Sequence, residues 1–328
     1  MYKAELSEKS LVIAGDLTRT VMEMMNDIVE KKTVFSPQIR REMANAFFIA
    51  HSGVAEQPEN MEDFFVSASD GYEIPLRKYT PRNLQSDSVI LFAHGGGWIQ
   101  GNLDTHDYLC RKMAGALGVV VVAADYRLAP EFIFPTPLED LSDAYKWCSR
   151  AFPGQNIILA GDSAGGNLCA ALCIKSAEEQ ISPKPSAQVL FYPVLSNDFE
   201  SESFEAYENA VMPKNVLMFC LSCYVGRMCT DPDIMSDALV YPLLQNDMNV
   251  FPQTVLVPAQ CDVLLDGQIF FAEKLSAAGI KADVIKTDGT VHGFMAYGKE
   301  FDEEINCVLS EVKKGSIYGN IFASLRAE

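Results

Sequence analysis

The spacing of apolar residues along the chain changes character twice. Up to about residue 55 the period is helical. Leu17, Val21, Met24, Met25 and Ile28 recur three or four apart and form an amphipathic stripe. Ser36-Pro37 is a good N-cap and first-turn pair, and Ile39, Met43 and Phe47 continue on one face of the helix that follows. From Asp63 the period shortens to that of strands. Phe64–Ser69, the turn Asp70-Gly71 and Tyr72–Tyr79 predict a hairpin at a sheet edge, where Pro75 is tolerated. Strand-length runs then follow at Val89–Ala93, Gly118–Ala123, Gln155–Ala160, Ala187–Tyr192, Thr254–Val257 and Ala282–Lys286. Helical stretches around 105–117, 138–150, 165–178, 267–278 and 299–314 fall between most of them. Strand and helix in alternation imply parallel strands joined by helical crossovers. The fold class is therefore α/β, a mostly parallel eight-stranded sheet with helices on both faces. There is no internal repeat and no low-complexity segment.

One segment breaks the alternation. Residues 197–250 open on Asp198, Glu200, Glu202, Glu205 and Glu208, then pass through Met212-Pro213 into an almost wholly apolar helix, Val216 to Val225. A helix apolar on every side is expected to be buried. The detached N-terminal stretch is its natural partner. The expected division is a catalytic unit of residues 56–196 and 251–328, beneath a helical cap of residues 1–55 and 197–250. The N-terminal methionines, Met22, Met24, Met25 and Met43, suit an adaptable apolar surface, and Met22, Met24, Met25, Phe47 and the helix Val216–Tyr224 are candidates to line a pocket.

Composition narrows the setting. At 328 residues and 48% hydrophobic, the chain can bury a large core. Its longest aliphatic stretch, Val119–Ala124, is far short of the ~20 residues of a membrane span. The opening Met1-Tyr2-Lys3-Ala4-Glu5 lacks the basic and apolar regions of a signal peptide. Nine scattered cysteines do not resemble a secreted disulfide framework, so the expected location is cytoplasmic, with free thiols. The net charge of −18 argues against nucleic acid and anionic membrane as partners, and mildly against anionic substrates.

The chemistry centres on residues 156–168. The apolar run Asn156–Ala160 breaks at Gly161 and resumes as a helix carrying Leu168, Ala171, Leu172 and Cys173. Between them lies Gly161-Asp162-Ser163-Ala164-Gly165, a G-x-S-x-G match. So tight a strand-to-helix turn demands small neighbours, and it thrusts the serine hydroxyl over the sheet end, beside the N-terminal N–H groups of the helix. A second motif, His94-Gly95-Gly96-Gly97-Trp98, directly follows the strand Val89–Ala93. Consecutive glycines leave N–H groups unshielded, and such groups can stabilise the negative charge of an acyl-transfer intermediate by ~3 kcal/mol per donor. No phosphate-binding glycine pattern is present.

A serine nucleophile needs a base, and the chain has four histidines. His51 lies in the detached N-terminal part, His94 is tied to the glycine turn, and His106 opens a helix, where capping or packing suffices. His292, in Thr290-Val291-His292-Gly293-Phe294 just past the last strand, remains. The acid is expected at a strand end between Ser163 and His292. Asp262 is first, Asp266 reads as a cap of the next helix, and Asp288 is third because it lies so close to His292.

These stretches, together with Asp104-Thr105-His106-Asp107 and Asp125-Tyr126-Arg127-Leu128-Ala129-Pro130-Glu131, resemble the hormone-sensitive-lipase-like group of α/β-hydrolase esterases. Its bacterial carboxylesterases and acetyl esterases are especially similar, and the resemblance spans roughly residues 60 to 300. It implies an α/β-hydrolase fold with a cap built from an N-terminal part and an insertion after the sixth strand. It also implies Ser163 as nucleophile, Asp262 and His292 as acid and base, and an oxyanion hole of Gly95, Gly96, Gly97 and Ala164. Val263 and Leu265 stand where the group often has Pro and Arg.

The activity so implied is a serine carboxylesterase working on short- to medium-chain acyl esters through an acyl-enzyme, with no cofactor and no metal. The same triad serves amidases, peptidases and lactonases, and the motif does not separate them. Ligand receptors on this fold lack a triad member, whereas all three are present here. Cys220 and Cys223, with Cys229 nearby, have no second pair or histidine to complete a metal site. Arg127 and Glu131 read as a structural polar network. Trp98 either borders the acyl or alcohol pocket or packs in the core. The partner is a small-molecule ester, and a homodimer is left open.

Overall fold

The computed structural model describes residues 5–17, 19, 36–208 and 210–315. Its sheet has eight strands in the order β1-β2-β4-β3-β5-β6-β7-β8. They are β1 (Asn60–Ser67), β2 (Glu73–Thr80), β3 (Val89–Ala93), β4 (Val120–Ala124), β5 (Ile157–Asp162), β6 (Ala187–Phe191), β7 (Gln253–Val257) and β8 (Ala282–Val284). β2 runs antiparallel to both its neighbours; every other pairing is parallel. Pro75 lies on β2 one residue short of the β2–β4 ladder, where its carbonyl accepts from the Asp125 N–H and its missing N–H breaks no bond to β4. β1, not β2, is therefore the edge.

The chain turns one way from β3 to β4 and then back past β3 to β5, continuing in that direction to β8. Right-handed crossovers consequently put the helix Asp107–Leu117 on one face, and the helices Thr136–Ala151, Ala164–Glu178 and Leu265–Ala277 on the other. The reversal leaves a crevice at the C-terminal ends of β3 and β5, adjacent strands paired through Ala93 and Gly161. Both strands are buried along their whole length, which explains why their sequences read as unbroken apolar runs. The two sequence motifs lie at this crevice because each directly follows one of these strands.

Residues 197–250 form an insertion between β6 and β7 containing the helices Glu202–Tyr207, Lys214–Val225 and Pro232–Met235. Side chains outside or at the root of the insertion hold it. Asn167 donates to the Val240 carbonyl at 2.8 Å, Asn197 to that of Met235 at 2.7 Å, and Lys274 to those of Leu243 and Gln245 at 2.9 and 2.7 Å. The Ser203 N–H donates to Asp266 at 2.9 Å, and the Ser203 hydroxyl to the Val263 carbonyl at 2.6 Å. Asp266 thus fastens the insertion instead of capping its own helix. The helix Lys214–Val225 is not buried all round. Leu217, Leu221, Tyr224 and Val225 face the core, while Val216 and Phe219 are 40% and 45% exposed. Three and four residues separate the buried positions, so a stripe suffices to dock it.

The N-terminal helix Pro37–His51 begins at the expected Ser36 cap, whose hydroxyl accepts from the Ile39 N–H. Arg41 ties it to the loop after the glycine turn, donating to the Ile99 carbonyl at 2.9 Å and pairing with Glu131 at 2.7 Å. Arg127 pairs instead with Asp140 and Asp70, so Arg127 and Glu131 serve separate contacts. Residues 8–17 are helical, with Ile13 fully buried. The remainder of the stripe, Val21, Met24, Met25 and Ile28, and the pocket candidate Met22 lie outside the described residues.

Candidate active site

The turn between β5 and the helix Ala164–Glu178 places Ser163 at φ 51°, ψ −117°, a backbone conformation few non-glycine residues adopt. The strain is held by crowding. A Cβ on Gly161 would strike Gly165, and one on Gly165 would strike the Ala93 carbonyl. The Ser163 N–H donates to the Phe191 carbonyl at 2.9 Å, which fixes the elbow to β6.

The histidine and the acid arrive from neighbouring loops. Cys261 and Val291 form a single parallel bridge beyond the sheet, and the Cys261 N–H donates to the Thr290 carbonyl at 2.9 Å. Asp262 and His292 each follow by one residue. The Asp262 carboxylate lies 2.7 Å from His292 Nδ1, and His292 Nε2 lies 2.7 Å from Ser163 Oγ. A carboxylate only accepts, so Nδ1 carries a proton and Nε2 is left to accept from the serine hydroxyl. All three side chains are buried. Tyr192 packs its ring 5.0 Å from that of His292 and takes the Met295 N–H on its hydroxyl. Asp288 lies away from this line, on a surface groove with Asp198, Glu273 and Phe270.

The three turn glycines divide by role. The Gly95 N–H donates to Asp162 Oδ1 at 2.7 Å. It is committed to the protein and is unavailable to a substrate, which corrects the expectation that Gly95 is an oxyanion donor. The Gly96 and Gly97 amides and that of Ala164 have no acceptor among the described residues. Gly96 and Gly97 both adopt positive φ, at 116° and 62°, and a Cβ on Gly97 would meet Cys220 of the insertion.

Trp98 is fully buried and stacks on Tyr224 of the insertion, 4.6 Å between centroids. Of the two roles left open, packing is the observed one: it joins the glycine turn to the helix Lys214–Val225. His94 donates through Nδ1 to the Gly95 carbonyl at 2.8 Å and stacks on Tyr126, whose hydroxyl donates to the His94 carbonyl at 2.6 Å. His51 pairs instead with Glu300 at 2.9 Å.

Asp162 and His106 were missed as parts of the site. Asp162 is an unspecified position of the serine motif, yet its carboxylate is 97% buried and lies 3.2 Å from His106 Nε2. Burial opposes its ionisation, but the neighbouring His106 imidazole, the Gly95 N–H and the His94 imidazole outweigh it, holding the carboxyl below the ordinary range. The available signal was a charged residue inside a motif that otherwise admits only small ones.

Fold and geometry together define a hydrolase with a nucleophile elbow. The sequence profile of the alpha/beta hydrolase fold matches residues 90–296, and the chain belongs to that family. An ethyl acetate hydrolase of Pseudomonas putida is 30% identical over 260 residues, 77% of this chain and 81% of that protein. An arylesterase of Saccharolobus solfataricus is 30% identical over 232 residues, 69% of this chain and 74% of its own length. A solved arylesterase structure superposes with a TM-score of 0.80 at 26% identity, covering 94% of this chain and 99% of that one. Within the family the chain is a carboxylic ester hydrolase of the hormone-sensitive-lipase-like group. None of the helices in the described residues is long and apolar enough to cross a membrane.

Proposed function

We propose that the chain hydrolyses small-molecule esters of short to medium acyl length through an acyl-enzyme on Ser163. His292 takes the serine proton as Oγ attacks the ester carbonyl, then returns it to the departing alcohol. Asp262 holds the imidazole tautomer and stabilises its charged form. The N–H groups of Gly96, Gly97 and Ala164 stabilise the oxyanion, while Gly95 positions the loop. Water repeats the sequence on the acyl-enzyme, with His292 as base. Every step proceeds on side chains and amides already at hand.

The observation carrying this reading is the unbroken line Ser163 Oγ–His292 Nε2–Asp262 Oδ2, 2.7 Å at each step. The ethyl acetate hydrolase and arylesterase relatives support small acyl groups and a tolerant leaving-group side. Residues 1–55 and 197–250 act as a cap over the crevice, keeping it apolar and dry enough to strengthen the oxyanion contacts. In this reading the partner is the ester alone, and the location is cytoplasmic.

Ser163→Ala, with no larger side chain to strain the elbow, should abolish ester hydrolysis while the protein stays folded. An organophosphonate should label Ser163 alone. A label on another serine, or activity within tenfold of the parent, would overturn the assignment. A series of p-nitrophenyl esters of rising acyl length, run beside an anilide, reads the substrate class; faster anilide cleavage would replace esterase with amidase.

A further inference from the structure

We infer that His106 is a positioning residue for the oxyanion hole, present as an imidazolium that neutralises Asp162 beneath the point where the substrate's negative charge develops. The inference rests on the reading of Ser163, Gly96 and Gly97 above, and adds the groups that hold the donors in place.

The hydrogen-bond pattern fixes one of the two ring protons of His106. Its Nδ1 lies 2.8 Å from Thr105 Oγ1. That hydroxyl has one proton, which it donates to the Asn102 carbonyl at 2.8 Å while accepting from the Asn102 N–H at 2.9 Å. With the hydroxyl proton so used, Nδ1 must be the donor to Thr105. On the other side of the ring, Nε2 lies 3.2 Å from Asp162 Oδ1, close enough for an ion pair although not aligned for a hydrogen bond. With Nδ1 donating to Thr105, a proton on Nε2 makes the ring the cation beside this buried carboxylate, and that charge is what we infer. The ring is 98% buried, packed near Phe92, His94 and Phe48, and the Asn102–Thr105 turn holds it from outside.

Asp162 explains why a charge is needed there. Its Oδ1 holds the Gly95 N–H, and its carboxylate occupies the space a Cβ on Gly95 would take. One residue further along that loop is Gly96; one residue beyond Asp162, at the turn that ends β5, is Ser163. The carboxylate thus sets the angle at which the Gly96 and Gly97 amides face the crevice. An uncompensated buried anion so close would repel the forming oxyanion as well as being costly in itself. His94, the other nearby imidazole, spends Nδ1 on the Gly95 carbonyl and turns Nε2 towards Asp125 at 3.6 Å. His106 is the group in direct contact.

The test is a charge-balance cycle of His106→Gln, Asp162→Asn and the double variant. Active sites are counted by phosphonate titration and folding is checked by circular dichroism. His106→Gln should lower kcat at least about thirtyfold, a fraction of the ~100- to 1000-fold cost of losing a whole oxyanion donor. KM should stay within about threefold, because the amides act on the transition state. Affinity for a trifluoromethyl ketone, which forms an oxyanion on Ser163, should fall by the same factor as kcat/KM. The double variant, neutral at both positions, should regain at least about tenfold, since the amide oxygen introduced by Asp162→Asn still accepts from Gly95. Unchanged kcat in His106→Gln, unchanged ketone affinity, or a folded double variant no better than the single one would each overturn the inference. If His106→Gln is insoluble, the folded double variant decides: kcat within about tenfold of the parent supports it, and a loss beyond about a hundredfold overturns it. Failure of Ser163 labelling would instead remove the underlying esterase reading.

Discussion

Cys261 and Val291 pair as an isolated parallel bridge outside the eight-stranded sheet, and by doing so set Asp262 beside His292. The last two loops of the site are thereby indexed to each other, independently of the short strand β8, which ends at Val284. Asp262 and His292 can keep their 2.7 Å contact even though residues 285–291 separate His292 from the sheet's last strand.

Three aspartates near these loops should separate cleanly on mutation. Asp262→Asn should lower turnover about ten-thousandfold, because the amide favours the wrong imidazole tautomer. Asp266→Asn should leave kcat near the parent's and cost at most about 1 kcal/mol, because the amide oxygen still accepts from the Ser203 N–H though without the charge. Asp288→Asn should change neither. Kinetics beside urea melts decide; an inactive, stable Asp266→Asn enzyme would move the acid one helical turn.

The elbow should resist even one methyl group. Gly165→Ala drives a Cβ into the Ala93 carbonyl, which is sheet backbone and cannot swing aside. A loss of about 2 kcal/mol or more and reduced phosphonate labelling are expected. Gly115→Ala, where nothing lies within 4 Å, is the control and should be neutral or slightly stabilising. Equal melting temperatures for the two variants would contradict the packing described.

The N-terminal segment should matter to the histidine loop. Ser10, fully buried, donates to the Gly289 carbonyl at 2.6 Å, and the Ser7 N–H donates to the same carbonyl at 3.2 Å. Ser10→Ala should cost about 1 kcal/mol. Deleting residues 1–35 should lower the melting temperature further, expose the pocket of Ile13 and depress hydrolysis of short esters. A truncated protein with unchanged melting temperature and acyl-length profile would show that this segment supports neither loop nor cap.

Acid should weaken the parent more than the Asp162→Asn variant. The Asp162 carboxyl is held below its ordinary value despite burial, by His106, the Gly95 N–H and His94. A depressed carboxyl contributes stability that is present above its unfolded value near 3.9 and is lost as pH falls through the folded one. Urea midpoints from pH 6 to pH 2.5 should therefore converge for parent and variant at the acid end. A gap that stays constant across the range would show that Asp162 ionises alike in the folded and unfolded chain.

The sheet was legible because its central strands β3, β5 and β6 are buried throughout and bounded by helices. Val89–Ala93 matches β3 residue for residue, and the later strands, β8 included, shift by at most two residues at a terminus. Chain order and strand ends pointed to Ser163, Asp262 and His292, and the fold brings these three into one line of contacts. Gly95 was not. Its amide is diverted by Asp162, 67 positions away, and no local pattern records which of three adjacent glycines loses its donor to the core. Likewise, the apolar run Val216–Val225 announced a buried helix, but apolarity alone does not say how many sides are covered. His106 looked like an ordinary helix start because its partner carboxylate belongs to another strand.

The anchoring of the insertion between β6 and β7 has a consequence for how this scaffold can change. Asn167 and Lys274, both outside the insertion, reach the carbonyls of Val240, Leu243 and Gln245. Every amino acid supplies a carbonyl, so these attachments read the path of the insertion and are blind to its side chains. Replacement of its residues, and with them the shape of whatever the insertion encloses, leaves those bonds in place as long as the path is kept. New ester preferences are thus accessible by substitution within 197–250 while the machinery on β3 and β5 remains untouched.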